Sequence, residues 1–119
     1  MTPSELAGLI SRVRFRFSTE ADLQAGIDEV LGRAGVSRER EYRLTRSDRI
    51  DFYLPKQGMG IEVKVDGGTS DLTRQILRYA ESSEIRSLVV ITSRMRHAVQ
   101  LPRYVNNKPL QVITVGGVA

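Results

Sequence analysis

The sequence contains no cysteine, a single histidine and no long apolar run, and each absence removes a class of protein. Without cysteine there is no disulfide framework, no thiolate nucleophile and no cysteine-built zinc or iron–sulfur site. Because His97 is the only histidine, a histidine-rich metal cage and a catalytic triad with a second histidine are excluded. No apolar run approaches the roughly 18 residues that a transmembrane helix needs. A metal site must therefore be built from carboxylates, which favours Mg²⁺ or Mn²⁺.

The chain is 119 residues long, which suits a single hydrophobic core. We therefore expect residues 1–119 to form one domain. The N-terminal segment MTPSELAGLISRVRFRF lacks the long apolar core and the cleavage signal of a secretory leader. We expect a cytoplasmic protein that does not associate with a membrane.

Lysine is scarce although the sequence is basic. There are 18 Lys and Arg against 14 Asp and Glu, and only three of the basic residues are lysine. Arginine suits planar, bidentate contact with phosphate or carboxylate. Residues 85–119 contain five basic residues and no acidic residue. Nucleic acid is therefore the first partner to consider, and a basic, solvated surface is the alternative.

Hydrophobic periodicity predicts a mixed α/β fold. A short lead-in over residues 3–16 precedes a helix that Ser18 or Thr19 can cap and Gly35 can terminate. Further along, the pattern predicts strands over residues 41–46, 49–54 and 61–65, a helix over about 70–83, a buried strand over 88–92, an irregular basic segment over 94–109 and a last strand over about 111–115. This order predicts a mixed central sheet flanked by helices.

The two alternating strands over residues 49–65 bring acidic groups together. Their apolar sets are Ile50, Phe52 and Leu54 on one strand and Ile61, Val63 and Val65 on the other. If both sets face the core, Asp51, Glu62 and Lys64 must share the opposite face. Opposing Cβ atoms lie about 4.5–5.5 Å apart in such a pair of strands. The alternative is a solvated strand face with a cross-strand ion pair, which stabilises little.

The helix after Thr19 and the helix over about 70–83 both carry polar residues on faces that we expect to point toward the core. Glu20 precedes Leu23 by three residues and Ile27 by seven, so it belongs to the apolar stripe of its helix. Gln75 and Tyr79 are four residues apart and share one face of the next helix. The alternatives are an acid favoured by the helix macrodipole for Glu20 and a core aromatic for Tyr79.

Asp51, followed after ten residues by Glu62-Val63-Lys64, is a D…ExK pattern. With it, the chain resembles the PD-(D/E)XK nuclease superfamily over about residues 18–93. No proline precedes the aspartate, where the sequence reads Arg49-Ile50-Asp51.

The upstream Glu20 and the downstream Gln75-x-x-x-Tyr79 strengthen the resemblance. The latter is similar to a motif that follows ExK in RecB-type exonuclease domains and in several phage- or virus-type nucleases. The predicted element order is similar to the αβββαβ core of the superfamily, a restriction-endonuclease-like fold.

The resemblance implies Mg²⁺- or Mn²⁺-dependent hydrolysis of DNA phosphodiester bonds, that is, a deoxyribonuclease or endonuclease. Asp51, Glu62 and the main-chain carbonyl of Val63 would hold one or two ions, and Glu20 would contact an ion directly or through water. Lys64 would orient the attacking water or stabilise charge on the phosphate. Carboxylate oxygens are the ligands that Mg²⁺ prefers.

The basic residues provide candidate DNA contacts. Arg78 lies on the second predicted helix. Arg94 and Arg96 lie in the predicted basic loop together with His97, for which the sequence offers no catalytic partner. The alternative for each arginine is a solvated surface. Because one small core grips little DNA, we expect a homodimer.

The resemblance further implies a phage, mobile-element or DNA repair and recombination role, including action on branched DNA, in a bacterial cell or phage-infected host. Two alternatives remain open. One is a non-cleaving nucleic-acid-binding module of the same fold. The other is a basic α/β subunit of a larger complex.

Overall fold

A mixed six-stranded sheet with helices on both faces organises the protein. The computed structural model describes residues 1–118, so the last residue of the expected domain, Ala119, lies outside the described residues. In chain order the elements are α1 (Pro3–Ser11), β1 (Phe15–Arg16), α2 (Glu20–Arg33), β2 (Glu39–Arg43), β3 (Arg49–Leu54), β4 (Met59–Lys64), α3 (Thr69–Ala80), β5 (Ser87–Thr92), α4 (Met95–Gln100), β6 (Tyr104–Val105), β7 (Lys108–Thr114) and β8 (Gly117–Val118).

The strand order across the sheet is β2-β3-β4-β5-β7-β6. Neighbouring strands run antiparallel from β2 to β4, parallel from β4 through β5 to β7, and antiparallel between β7 and β6. The short strands β1 and β8 form a separate parallel pair. The prediction of a mixed α/β sheet flanked by helices is confirmed, with the element order α2-β2-β3-β4-α3-β5. Across residues 1–118, no helix is both long and apolar enough to cross a membrane.

Two hydrophobic clusters fill the space between the sheet and its helices. Leucine and isoleucine side chains of α1 and α2 pack on one face, and α3 packs on the other. Strand β5 is buried along its whole length. A parallel strand covered on both faces has this continuous apolar character. The carboxyl ends of β4 and β5 therefore emerge at one edge of the sheet, between the two helical layers.

The predicted capping box places the start of α2. The Thr19 hydroxyl accepts a hydrogen bond from the Asp22 amide at 3.1 Å, and the Asp22 carboxylate accepts one from the Thr19 amide at 3.3 Å. At the other end, Gly35 has φ of 70°, a left-handed conformation that glycine adopts without steric cost. The capping box makes Glu20 the first residue of the helix, and Gly35 follows its end.

The helix predicted over about 70–83 begins and ends earlier, at Thr69 and Ala80. Its end is set by a residue far away in the sequence. The Lys108 ammonium donates to the Ala80 carbonyl at 2.6 Å and to the Ser82 carbonyl at 2.8 Å. A cation at a helix C-terminus satisfies its free carbonyls and interacts favourably with the dipole.

Other boundaries also differ from the prediction. The strand expected over 41–46 is β2 at Glu39–Arg43, because a turn over residues 44–48 has hydrogen bonds of its own. The segment predicted to be irregular contains α4 and β6. Within α4, His97 is buried, and its ring nitrogen Nδ1 lies 2.6 Å from the Thr92 hydroxyl.

The predicted alternation of β3 is wrong at Ile50. Phe52 packs with α1 and α2, whereas Ile50 packs with α3 on the other face of the sheet. Strand β2 changes face at the same point: Arg40 covers the Phe52 ring at 5.5 Å, and Tyr42 pairs with Ile50. Between them Glu41 has φ of 50°, which interrupts the regular alternation. Asp51 therefore lies at an irregular step of the sheet.

Gly60 provides the space that Ile50 fills. A Cβ atom at Gly60 would lie 2.5 Å from Ile50 Cδ1 and 3.0 Å from Ile85 Cδ1. Gly60→Ala is therefore expected to lower the free energy of unfolding by about 1–3 kcal/mol, measured by urea denaturation. Gly8 of α1 has no atom within 4 Å of such a Cβ, so Gly8→Ala is the control and is expected to be neutral or stabilising. Equal effects of the two substitutions would contradict this packing.

Candidate active site

The Asp51 carboxylate takes the place of a main-chain acceptor where the pairing of β3 and β4 ends. The last described pair of β3 and β4 in this direction is Phe52 opposite Ile61. Beyond it, the Asp51 carboxylate accepts the amide hydrogen of Val63 at 2.8 Å. The irregular step in β2 and β3 thus directs the Asp51 side chain toward β4, where it meets the main chain of the ExK segment.

Glu62 and Lys64 extend from the same side of β4. The residue Glu62 is 4% exposed, and its Oε2 atom lies 3.9 Å from the ammonium of Lys64. The other oxygen, Oε1, is buried and has no hydrogen-bond partner. A buried carboxylate oxygen without a donor is unusual, because burial removes its solvating water. The site therefore contains an acceptor that can receive a proton or a cation.

Glu20 reaches the same edge from the other helical layer. Its Oε1 atom accepts the Val65 amide at 3.3 Å, one residue beyond the ExK triplet. The first residue of α2 is thereby fixed to the end of β4. Besides burial, the charge of Glu20 also contributes to the raised pKa of Asp51, and a joint role of Glu20, Asp51, Glu62 and Lys64 stays a prediction.

Burial dominates the electrostatics of the two strand carboxylates. It raises the pKa of Glu62 to about 8; the neighbouring charge of Asp51 adds to the shift, and the Lys64 ammonium opposes it. Burial also raises the pKa of Asp51 to about 6, opposed by the hydrogen bond from the Val63 amide. Two carboxylates that are close together and poorly solvated cannot both ionise without cost.

Tyr79, an inward polar residue of α3, lies beside this pair. Tyr79 is buried, and its hydroxyl donates to the Arg49 carbonyl at 3.1 Å. Burial and the neighbouring charges of Glu62 and Asp51 raise the pKa of Tyr79. Gln75 is half-buried, and its Oε1 atom is buried without a partner. Tyr79 thus closes one side of the site, and Gln75 brings a second unsatisfied oxygen to the same helix face.

The three predicted arginine contacts have different surroundings. Arg78 donates to the buried carboxylate of Asp48 at 2.9 Å, so its guanidinium already has a partner within the fold. Arg94 and Arg96 instead lie on the exposed surface beyond β5, and both pair with Asp66. A DNA contact by any of the three stays a prediction.

Glu41 is a neighbour of the site that the sequence pattern does not indicate. It lies opposite Asp51 in the register of β2 and β3, and its charge contributes to the raised pKa of Asp51. Its left-handed φ of 50° is uncommon for a residue other than glycine. Such outliers are concentrated at functional sites. No periodicity signal marks the position, because the strain arises only when β2 pairs with β3.

No group of three or more acidic or histidine side chains in residues 1–118 is arranged as a ready metal cage. Two surface grooves, of about 640 and 510 Å³, are lined by neither Glu20, Asp51 nor Glu62. Glu62 is almost completely buried and Asp51 is half-buried, so these carboxylates border neither groove.

Comparison of the chain with family models, curated proteins and solved structures gives no match. Functional inference therefore depends on the geometry and the chemistry of the side chains.

Proposed function

We propose that this protein is a divalent-metal-dependent nuclease of the PD-(D/E)XK type, which hydrolyses phosphodiester bonds of DNA. One observation carries the proposal above the others. Glu62 is almost completely buried beside Asp51 and Lys64, and one of its oxygens has no partner. Burial without a hydrogen-bond donor is costly for a carboxylate with a purely structural role. A carboxylate that binds a cation recovers this cost when the cation is bound.

The donor set fits Mg²⁺ or Mn²⁺. Asp51 and Glu62 supply carboxylate oxygens on adjacent strands, and burial raises the pKa of each, which a bound cation would offset. These two residues and the Val63 carbonyl would hold one or two ions, with Glu20 contacting an ion directly or through water. A bound divalent cation supplies a water of lowered pKa and neutralises phosphate charge.

Lys64 has the position of a group that acts on the phosphate. Its ammonium lies 3.9 Å from Glu62, and its side chain is 22% exposed, so it borders both the buried acids and the surface. A cation fixed at this border stabilises negative charge as it builds on a phosphate oxygen, or orients the attacking water. Either role requires Lys64 at this position of the ExK triplet.

The charge distribution supports DNA as the substrate. The acid-free segment over residues 85–119 supplies Arg94 and Arg96 beyond the carboxyl end of β5, the strand that runs parallel to the ExK strand β4. Arginines of this kind contact phosphates independently of sequence. We extend the proposal to a cytoplasmic homodimer that acts in phage, mobile-element or DNA repair and recombination reactions, including those on branched DNA.

Cleavage of four substrates in Mg²⁺ tests the proposal: supercoiled plasmid, linear duplex, single strand and a four-way junction. We expect metal-dependent hydrolysis of at least one, and the preferred substrate identifies the reaction class. Absence of cleavage of all four in both Mg²⁺ and Mn²⁺ would contradict the proposal. Salt-sensitive binding without cleavage would identify instead a non-cleaving module of the same fold.

A further inference from the structure

Two arginines converge on one exposed aspartate at the rim of the site. Arg94 Nη2 lies 3.4 Å and Arg96 Nη2 lies 3.6 Å from the same Oδ1 atom of Asp66. Asp66 follows β4 directly, two residues after Lys64. Both guanidinium groups are about half exposed, and the Asp66 side chain is 75% exposed. The point at which they meet is therefore open to solvent.

The Arg96 side chain and the main chain of Arg94 have contacts besides those with Asp66. Arg96 also donates to the Gly67 carbonyl at 2.8 Å, and the Arg94 amide donates to the Thr92 hydroxyl at 3.1 Å. The two loops are joined a second time by Ser93, whose hydroxyl donates to the Val65 carbonyl at 2.7 Å. The loop that bears the arginines therefore keeps its position whether or not Asp66 contacts them.

The surroundings of the two arginines are positively charged. Burial lowers the pKa of His97, and the charges of Arg96, Arg94 and Lys64 lower it further. Three cations, Arg94, Arg96 and Lys64, therefore lie near His97. Within the described residues, both guanidinium groups pair with the same acidic residue, Asp66.

A phosphate would bind at this point better than the aspartate does. Exposed ion pairs contribute little to stability, so Asp66 is held weakly. A phosphate group offers several oxygens to two planar guanidinium groups, which bind such oxygens in a bidentate manner. The Asp66 carboxylate occupies the place where one phosphate oxygen would lie.

We propose that Arg94 and Arg96 form a phosphate-binding site that Asp66 occupies in the free protein and leaves when nucleic acid binds. Asp66 is then an internal competitor that weakens DNA binding. The identity of the ligand rests on the proposed nuclease function, but the competition itself does not require cleavage. The phosphate is either an internal phosphodiester or a terminal phosphomonoester.

The test is fluorescence anisotropy with labelled duplex DNA in EDTA at fixed low salt, so that no cleavage takes place. Asp66→Asn is expected to tighten binding about fivefold, which is about 1 kcal/mol. Glu29→Gln is the control, because Glu29 also pairs with an exposed arginine, Arg33, and the substitution changes the net charge equally. It is expected to change affinity less than twofold.

A triple variant completes the design. With Arg94→Ala and Arg96→Ala added to Asp66→Asn, the gain in affinity is expected to disappear. Duplexes with a 5′-phosphate or a 5′-hydroxyl distinguish the two sources: a gain confined to the former identifies a terminal phosphate, and equal gains identify an internal one. Melting temperatures verify that each variant is folded.

Equal effects of Asp66→Asn and Glu29→Gln would overturn the proposal, because they would reflect net charge alone. An unchanged affinity in Asp66→Asn would overturn it as well. Failure of the nuclease proposal has a different signature: Asp66→Asn still tightens binding, but no DNA is hydrolysed when Mg²⁺ replaces EDTA.

Discussion

Lys64→Met is expected to reduce metal-dependent DNA cleavage by about 10²-fold or more. The substitution removes the ammonium that lies 3.9 Å from Glu62 and keeps the apolar stem that packs at the end of β4. Removing one preorganised group that stabilises transition-state charge costs about 10²–10³ in rate. The measurement is the initial rate of plasmid nicking in Mg²⁺ under conditions of excess enzyme.

Lys56→Met is the matched control for this prediction. Lys56 lies exposed in the turn between β3 and β4, at the opposite end of the same two strands. Lys56→Met removes the same charge as Lys64→Met. Its cleavage rate is expected to stay within about threefold of the wild-type rate, because only the non-specific attraction to DNA is weakened. If both variants lost activity equally, Lys64 would contribute only to the overall charge, and its assigned role would be wrong.

Glu62→Gln is expected to abolish cleavage and also to stabilise the metal-free protein. The pKa of Glu62 is raised to about 8 from 4.5, so the folded state holds a proton that the unfolded state releases. The free energy of unfolding of the wild type therefore falls as the pH rises from about 4.5 to about 8. At about 1.4 kcal/mol per pKa unit, the loss is on the order of 5 kcal/mol.

Glutamine keeps the shape of the side chain and has no charge to bury, so the variant should lack most of this pH dependence. Asp51, with a pKa of about 6, contributes a smaller loss in the same direction over about pH 4 to 6, and this loss remains in the variant. Urea denaturation of the wild type and of Glu62→Gln in EDTA at pH 5 and pH 8 measures both losses of stability. The exposed Glu39 of β2 provides the control, Glu39→Gln, which should follow the wild type.

Two results would contradict the electrostatic description of the site. One is a wild-type stability that does not fall between pH 5 and pH 8. The other is a Glu62→Gln protein no more stable than the wild type at pH 8 in EDTA. Mn²⁺ adds a further comparison, because it should raise the melting temperature of the wild type at pH 8 and leave that of Glu62→Gln nearly unchanged.

The parts of the site that follow from local periodicity were predictable. Alternation in β4 places Glu62 and Lys64 on one face, and the capping box of Thr19 and Asp22 fixes Glu20 at the first turn of α2. The apolar run of β5 identifies a strand buried on both faces. Each of these features depends on residues that are close in the sequence.

The irregular step at Asp51 was not predictable in the same way. A regular strand would place Ile50 and Phe52 on one face, but the left-handed Glu41 of the neighbouring strand accompanies a change of face in both strands. The change also needs Gly60, whose missing side chain leaves room for Ile50. The residue pattern of one strand carries no information on the backbone conformation of the neighbouring strands.

Contacts between distant residues account for the other differences. Arg78 pairs with Asp48 thirty residues away, and Lys108 of β7 binds the last carbonyl of α3. His97 looks like part of a basic surface loop in the sequence, yet it is fully buried against Thr92. Long polar side chains choose their partners only after the fold has formed, so composition and spacing do not reveal these pairs.

The most direct test of the central claim compares supercoiled plasmid incubated with wild-type protein and with Asp51→Asn protein, each in Mg²⁺ and in EDTA. Asparagine at position 51 keeps an oxygen that can accept the Val63 amide and removes the charge that a cation needs. We predict nicked or linear product only with the wild type in Mg²⁺. Cleavage that persists in EDTA, or that the Asp51→Asn protein performs as fast as the wild type, would contradict a metal-dependent nuclease site at these carboxylates.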